Sequence, residues 1–472
     1  DTVIALDTVT GGNGGGVSAN STTATGNAGN GGTATSTSSA TATGSSSGIN
    51  VTDTAIGGSG GSVVATGGTA TGSGGNGAAA SSTASGSTTD GSTVSLPYGL
   101  NGASTGYPPQ VAAIATGGAG GQGNGVSFGA GSGGAAIALA SGTSSSGGAM
   151  NVVATAVGGA AGTVANGATG NNGGAATATA NASSGLGIAM ATATATGGLP
   201  TTASSNQGTA NAGSDADGYA AFAQSSATGL SGSSMATASN STGDGGFVDS
   251  ITTISKAPTV SGDTSLTYSG VTVLQAAPNY TTYDTKQAAG YGAGSPTNVG
   301  NIISGAPLVQ QYFNGPSWQN TFGIVDLGVG SLSATSSVAQ TFETNVAFTI
   351  NTAAIGGGLS EFGFIAGTGT SSGGFENIVL KITVGVSTQT YEFDSIADAE
   401  AFFNDTEFSL GDYPSEEALP IDFDMSLTST GGGDEFDGEL IFGAIPEPGA
   451  WAMLVAGAFL LPFAGRRPRR LR

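Results

Sequence analysis

The sequence predicts an all-β protein: a Gly/Ala/Thr-rich repeat region, folded as a β-solenoid or an elongated sheet, then an antiparallel β-sandwich with one helix, and a C-terminal membrane helix. Three observations predict this order. Alternating small residues recur along the first half, runs of alternating apolar residues fill the second, and an apolar segment lies close to the C-terminus. Composition divides the 472 residues into a repeat region at 1–246, a sandwich domain at 247–445 and a tail at 446–472.

The repeat region holds 58 of the 87 glycines and seven acidic residues, with no Lys or Arg. Gly-Gly pairs follow runs of alternating small residues at spacings of 46, 60, 41 and 39 residues, beginning at Gly11, Gly57, Gly117, Gly158 and Gly197. In residues 192–196 Thr and Ala alternate, which places Thr on one face of a strand and Ala on the other. We expect two strands in each unit, joined by Gly-Gly and Ser/Gly turns with positive φ. A flexible glycine-rich stalk is the alternative for this half.

Composition excludes several classes of function. The chain has no His and no Cys, which excludes a Ser-His-Asp or Cys-His nucleophile, a His or Cys zinc site and a disulfide. Its net charge of −22 opposes binding to nucleic acid. We therefore expect a protein that is not an enzyme.

The second half resembles an ordinary folded domain in its apolar patterning. In residues 421–428 the side chains of Ile421, Phe423, Met425 and Leu427 would face a core, because residues two apart share one face of a strand. One helix is predicted after Ser395, whose hydroxyl can cap it, with an apolar face of Ile396, Ala399, Phe402 and Phe403. Several short strands and one helix favour a sandwich of the jelly-roll kind.

Acidic and aromatic residues in this half give two weak binding hypotheses. Paired carboxylates bind Ca²⁺ or catalyse glycoside hydrolysis, and the acids are Glu416, Glu417, Asp422, Asp424, Asp434, Glu435, Asp437 and Glu439. Strand alternation and solvated turns explain the same residues, so we expect no cofactor, with calcium as the alternative. The aromatic residues to test for sugar stacking are Trp318, Tyr312, Phe313 and Tyr391, although aromatic residues in such a domain usually form its core.

The tail combines a Pro-Glu-Pro triplet, an apolar run at residues 450–465 and five arginines. Sixteen helical residues span about 24 Å, which is shorter than the ~30 Å of a usual bilayer core. Arginines directly after an apolar segment favour retention of that end in the cytoplasm, with the body across the membrane. The alternative is a buried C-terminal helix of the sandwich, which the terminal arginines disfavour.

This tail resembles the PEP-CTERM sorting signal of Gram-negative bacteria. The resemblance is carried by Pro446, Glu447, Pro448, Trp451, Arg466, Arg467, Arg469 and Arg470. Pro462 and Pro468 depart mildly from the usual pattern. The resemblance implies recognition by an inner-membrane exosortase, cleavage near Pro-Glu-Pro, and release of the body to the cell surface or extracellular matrix. It also implies Sec-dependent export and transient insertion of the C-terminal helix into the inner membrane.

Proteins of this family carry a Sec signal peptide. The sequence begins at Asp1 with no apolar signal segment, from which we expect either that such a signal has been removed or that the sequence has been trimmed. The leading expectation is an exported structural or adhesive protein of the cell surface or matrix, associated with exopolysaccharide or biofilm. The alternative is a carbohydrate-binding surface module, with or without Ca²⁺. A third is an ice-binding face on the Thr-rich repeats, for which solvated strand faces are the plain alternative.

Overall fold

The computed structural model describes most of the repeat region and the greater part of the sandwich domain. The described residues are 2–20, 22–44, 47–89, 110–145, 148–201, 206–229, 231–240, 248–255, 259–268, 286–292, 303–313, 321–330, 339–350, 359–371, 373–412, 419–430 and 434–445. Most of them lie in strands, which confirms the all-β class.

The strands of the repeat region are β1 Thr2–Thr10, β2 Val17–Ala19, β3 Thr23–Thr25, β4 Ala34–Ala42, β5 Gly48–Ile56, β6 Val63–Ala65, β7 Thr69–Thr71, β8 Ala80–Thr88, β9 Val111–Thr116, β10 Gly123–Asn124, β11 Ala136–Ser144, β12 Met150–Val157, β13 Val164–Ala165, β14 Ala176–Thr196, β15 Ala210–Thr228 and β16 Ser231–Asn240. Those that follow are β17 Val248–Ser255, β18 Thr259–Tyr268, β19 Lys286–Gly292, β20 Thr321–Gly330, β21 Gln340–Ile350, β22 Leu359–Thr370, β23 Phe375–Val384, β24 Ser387–Phe393, β25 Thr406–Asp412, β26 Leu419–Ser429 and β27 Glu435–Ile445. The helices are a 3₁₀ turn at Ile303–Gly305, α1 at Pro307–Phe313 and α2 at Ile396–Phe403.

The repeat region, together with β17 and β18, forms a β-solenoid built from two stacks of parallel strands. Sheet A contains β1, β5, β9, β12, the second halves of β14 and β15, and β17. Sheet B contains β4, β8, β11, the first halves of β14 and β15, β16 and β18. We call one strand of each sheet, with the segment that joins them, a rung.

The register of sheet A reproduces the spacing of the Gly-Gly pairs. Thr2 pairs with Gly48, Val51 with Val111, Val111 with Val152, and Met150 with Ala189, which are offsets of 46, 60, 41 and 39 residues. The repeat predicted from the sequence is therefore one rung of the solenoid.

Alternation along the strands separates a small-residue interior from a polar exterior. In β14, Ala193 and Ala195 are buried between the sheets, while Thr192, Thr194 and Thr196 are only partly buried. Burial of a methyl-sized group contributes only about 0.8 kcal/mol. The ladder hydrogen bonds, worth about 0.5–1.5 kcal/mol each net, therefore carry much of the stability of this half.

The segments that join sheet A to sheet B form a third layer, which we call the glycine wing. It comprises residues 11–33, 57–79, 117–135, 158–175 and 197–209, except for residues 21 and 202–205, which lie outside the described ranges. Each segment runs outwards from sheet A and returns to sheet B. Short strand pairs lie at its outer end, β2 with β6, β3 with β7 and β10 with β13.

Backbone hydrogen bonds join the wing with a period of three residues. The Gly14 N–H donates to the carbonyl of Ser59 in the next rung at 2.8 Å. The position of Gly12, two residues before Gly14, bonds across the wing instead. Gly32 N–H donates to the Gly12 carbonyl at 2.7 Å, and Gly58 N–H donates to the Gly32 carbonyl at 2.9 Å. The third position points outwards, and the three-residue period is that of a polyproline II helix. The two inner positions hold mostly Gly, with Ala78 in the place of Gly32 and Ala161 in the place of Gly14.

The Gly-Gly pairs serve close packing and not tight turns. None of them has positive φ, which corrects the sequence-based expectation, although Gly44 in the turn after β4 does have a φ of +123°. A Cβ atom added to the first glycine of each pair would lie 1.8 to 2.1 Å from a backbone carbonyl oxygen, at Gly11, Gly57, Gly117, Gly158 and Gly197. Only glycine allows two backbones to approach so closely.

Asparagine side chains complete the hydrogen bonding on the outside of the wing. Asn30 Oδ1 accepts from the N–H of Asn76 at 2.8 Å, and Asn76 Oδ1 accepts from the N–H of Ser132 at 2.9 Å. Asn13 Oδ1 accepts in the same way from Ser59 N–H. These side chains satisfy backbone donors that the ladder leaves free, which explains why Asn recurs in the third position.

The two sheets of the solenoid continue into the sandwich. Sheet A runs on through β17, β19, β20, β27, β22 and β25, with antiparallel pairing from β17 onwards. Sheet B runs on through β18, β21, β26, β23 and β24, and only its β18–β21 pair is still parallel. The predicted antiparallel sandwich is therefore present, and its sheets are shared with the solenoid. The boundary at 246/247 stays a prediction.

Phenyl rings fill the core of the sandwich, whereas the core of the solenoid consists mainly of Ala methyl groups. Phe362, Phe423 and Phe442 are fully buried, with ring centroids 5.4 to 5.9 Å apart. The predicted inward set Ile421, Phe423, Met425 and Leu427 is buried, which confirms that part of the pattern. Burial of one such side chain contributes about 1.5–3 kcal/mol.

The predicted helix is α2. Ser395 caps it in extended conformation, and its hydroxyl accepts from the Asp398 N–H at 3.1 Å. Ala399 and Phe403 are buried, and Ile396 and Phe402 pack against the core. A second helix, α1, also exists, so the expectation of one helix was wrong; its seven residues are too short for a periodic signal.

The predicted tail helix at residues 450–465 lies outside the described residues. Among the helices that the structure does describe, none is long and apolar enough to cross a membrane.

Candidate functional site

The outer face of β27 carries a row of carboxylates beside a groove. Glu435, Asp437 and Glu439 alternate with residues that point into the core, so all three lie on the outer face of sheet A, where each is partly buried. Phe436 is buried on the opposite face, and Gly438 leaves room for the Phe403 ring, since a Cβ there would lie 2.3 Å from it.

The groove has a volume of about 110 Å³ and lies between β22 and β27. Its lining consists of Thr368, Gly369, Thr370, Glu435, Phe436 and Asp437. Register places Thr370 opposite Glu435 and Thr368 opposite Asp437, and the Thr370 hydroxyl donates to Glu435 Oε1 at 3.1 Å. The groove therefore offers hydroxyl donors and carboxylate acceptors, which suit a ligand rich in hydroxyl groups.

One carboxylate of this row has a strongly shifted pKa. Burial, with the adjacent Asp437 carboxylate, raises the pKa of Glu439 from 4.5 to about 7. Register places Asp326 of β20 and Ala366 of β22 on either side of Glu439. The Glu439 carboxylate therefore loses its proton near neutral pH.

Pro446, Glu447, Pro448, Trp451 and the tail arginines lie outside the described residues. Trp318, Glu416 and Glu417 do so as well, and Tyr312 and Phe313 are the last two residues of α1. The structure therefore leaves the sorting signal a prediction.

Tyr391 is partly buried and packs with one side of its ring against the core. Its ring centroid lies 4.7 Å from that of Phe402 and 5.6 Å from that of Phe408. Its hydroxyl donates to Gln389 Oε1 at 3.0 Å, and burial raises its pKa to about 12. For this residue the core interpretation is the better one.

The predicted acids do not converge on one centre. Asp422 and Asp424 lie on the outer face of sheet B, where Asn345 Nδ2 donates to both, at 2.5 and 2.6 Å. Asp434 Oδ1 accepts from Ser371 at 2.9 Å. Over the described ranges there is no group of three or more acidic side chains arranged to hold a metal ion.

A buried carboxylate in the solenoid escaped the sequence analysis. Asp53 of β5 is fully buried, and its Oδ1 accepts from Ser36 at 2.7 Å and from Ser38 at 2.8 Å. Its Oδ2 accepts from Ser82 Oγ at 2.6 Å and from the Thr83 N–H at 3.0 Å. The signal was a carboxylate at an inward position of β5, matched by serines at inward positions of β4 and β8. This group is satisfied by hydrogen bonds and has a structural role.

The outer hydroxyl rows of sheet B are interrupted. Register aligns Thr37 with Thr83 and then with Leu139 and Thr179 along the solenoid, and the parallel row contains Ile137. The ice-binding alternative stays a prediction.

No family model and no curated protein matches the chain. Among solved structures, a carbohydrate-binding module in complex with β-1,4-galactotriose is weakly similar: the match covers 27% of this chain and 72% of that one, at 15% identity and a TM-score of 0.16. A likeness with so low a TM-score carries no argument about this chain.

Proposed function

We propose that this chain is an exported structural or adhesive protein of the bacterial cell surface or extracellular matrix, sorted by an exosortase through residues 446–472. The tail motif supports the sorting route, because Pro-Glu-Pro, the apolar run and the arginines occur in the order that such signals require. Export by Sec, and contact with exopolysaccharide or biofilm, belong to the same proposal.

The observation that carries the structural role is the continuity of the two sheets. Backbone pairing runs unbroken from β1 and β4 to the far strands of the sandwich, β25 and β24. Seven stacked strands of sheet A alone span about 29 Å at the usual strand separation. A continuous hydrogen-bonded pair of sheets resists bending, which suits a spacer that holds the sandwich and the opposite end of the solenoid apart.

Localisation in the producing bacterium tests the sorting route. We would compare the full-length chain with a variant that lacks residues 446–472 and with one in which Arg466, Arg467, Arg469 and Arg470 are replaced by Gln. Gly213→Ala is the matched control, because no atom lies within 4 Å of the added Cβ. We expect the unchanged tail to give a shortened surface or matrix form. Full-length protein that stays uncut in the inner membrane would contradict the proposal.

Carbohydrate binding is the second candidate, and the groove between β22 and β27 is the observation that favours it. Its hydroxyl and carboxylate lining can exchange hydrogen bonds with sugar hydroxyls. Calorimetric titration with neutral and acidic polysaccharides, with and without EDTA, tests it in the wild type and in Thr368→Val. Thr177→Val, on the outer face of the solenoid, is the control. Equal heats of binding in the wild type, Thr368→Val and Thr177→Val would contradict carbohydrate binding in this groove.

A further inference from the structure

We propose that the sandwich is the folding template and the C-terminal cap of the solenoid, so that the rungs form in order from the sandwich towards β1. This role is independent of the sorting route and of any ligand. It rests on three features of the described residues: the shared sheets, the contrast between the two cores, and the opposite ends of the solenoid.

The shared sheets give the solenoid a preformed edge on which to pair. β17 pairs with the second half of β15 on one side and with β19 on the other. β18 pairs with β16 and with β21. The last rung therefore meets the sandwich through main-chain ladders in both sheets, and each earlier rung pairs with the one already formed.

The two cores differ in how well they can fold alone. The sandwich buries several phenyl rings, among them Phe362, Phe364, Phe403, Phe423, Phe436 and Phe442. The solenoid between the sheets buries mainly Ala methyl groups, so a single rung gains little from apolar burial before its neighbour is in place. Stacked repeats depend on contacts with their neighbours and on terminal caps, which makes the sandwich the source of stability.

The connections between the sheets make growth from the sandwich the easier direction. The segment between the strand of sheet A and that of sheet B has 2 residues before β16 and 3 before β18, but 23 in each of the two rungs farthest from the sandwich. Shorter connections lose less entropy on closure, so the rungs next to the sandwich form at the lowest cost.

The other end of the solenoid is open in the described residues. There β1 pairs only with β5, and β4 only with β8. Ile4 and Leu6 of β1 are 61% and 68% exposed, and a Cβ added at Gly12 or Gly15 meets no atom. Among the described residues, the solenoid therefore has one end that pairs with the sandwich and one whose outer strands pair on a single side.

Hydrogen exchange of the full chain, read by mass spectrometry at several urea concentrations, tests this direction. Gly121→Ala disrupts the third rung, because its Cβ would lie 1.8 Å from the Gly61 carbonyl oxygen. We expect faster exchange in β4, β5, β8 and β9, with exchange in β15, β16 and the sandwich unchanged. Phe423→Ala removes a ring from the sandwich core, and we expect about a hundredfold faster exchange there and in every rung. Gly213→Ala is the silent control.

Three results would overturn the proposal, two of them in the variants. One is a solenoid that keeps its protection in Phe423→Ala while the sandwich loses it. The other is loss of protection in Gly121→Ala that extends to β15 and β16 as strongly as to β4 and β5. In the wild type, we expect the rungs to lose protection at rising urea concentrations from β1 towards β18, and the reverse order would also overturn it.

Discussion

Gly12 and Gly58 occupy the same place in two successive copies of one motif, yet the structure predicts opposite effects of replacing them with Ala. Both follow a Gly at the start of a wing segment, in GGNGG and GGSGG. A Cβ on Gly58 would lie 2.1 Å from the Gly12 carbonyl oxygen, whereas a Cβ on Gly12 meets no atom within 4 Å. Neither glycine has positive φ, so the backbone itself accepts Ala at both positions.

The magnitude follows from the contacts that must move. Relieving the clash displaces the Gly12 carbonyl, which also accepts from Gly32 N–H at 2.7 Å, and the Gly58 N–H, which donates to Gly32 at 2.9 Å. Overpacking costs about 1–3 kcal/mol, and each weakened hydrogen bond costs about 1 kcal/mol. Restriction of the unfolded chain by Ala offsets about 0.4–1 kcal/mol. We expect Gly58→Ala to lose about 2–4.6 kcal/mol, and Gly12→Ala to gain about 0.4–1 kcal/mol.

Equilibrium urea unfolding, followed by circular dichroism, measures both variants against the wild type. The two substitutions are chemically identical and lie in matching sequence, so each is the control of the other. Equal stabilities of the two variants would refute the claim that the wing glycines serve close backbone packing.

Two more predictions concern buried carboxylates. Because folding raises the pKa of Glu439 from 4.5 to about 7, the folded state binds the proton more tightly, and its ionisation destabilises the fold as the pH rises through this range. Thermal unfolding should show a loss of about 3 kcal/mol from this group between pH 4 and 8, and Glu439→Gln should remove that loss; a Gln variant with the wild-type pH profile would contradict it. Asp53→Ala should cost about 3 kcal/mol by urea unfolding, because the hydrogen bonds that Ser36, Ser38 and Ser82 donate to its carboxylate are lost, although Ser36 keeps Asp7 Oδ2 and Ser82 keeps the main-chain carbonyl of residue 53 as acceptors. Since Ala113 fills the matching place in β9, the variant fits sterically, and a loss below about 0.5 kcal/mol would show that the carboxylate is dispensable.

Local patterns predicted those elements whose structure depends on near neighbours. The inward set of β26, from Ile421 to Leu427, follows from a two-residue period, and the cap of α2 follows from the hydroxyl of Ser395 three residues before a free N–H. The repeat length was also readable, because successive Gly-Gly pairs mark equivalent positions in the rungs. Only one side of the groove between β22 and β27 could be predicted from the sequence. Alternation places Glu435, Asp437 and Glu439 on one face of β27. The other side, Thr368 and Thr370, comes from a strand about 65 residues away.

The contacts between residues far apart in the sequence were decided by the tertiary structure, through the register of the strands. Glycines that a local rule assigns to turns became contact points between backbones, because segments 46 or 60 residues apart stack at van der Waals distance. Composition separates the repeat region from the sandwich, yet their sheets are continuous, since main-chain ladders form irrespective of side-chain type. The burial of Asp53 likewise depends on serines from two other strands. The sequence pattern predicts the repeat period and which residues share a face of each strand. It does not predict which backbone groups pair, because those partners come together only when the rungs stack.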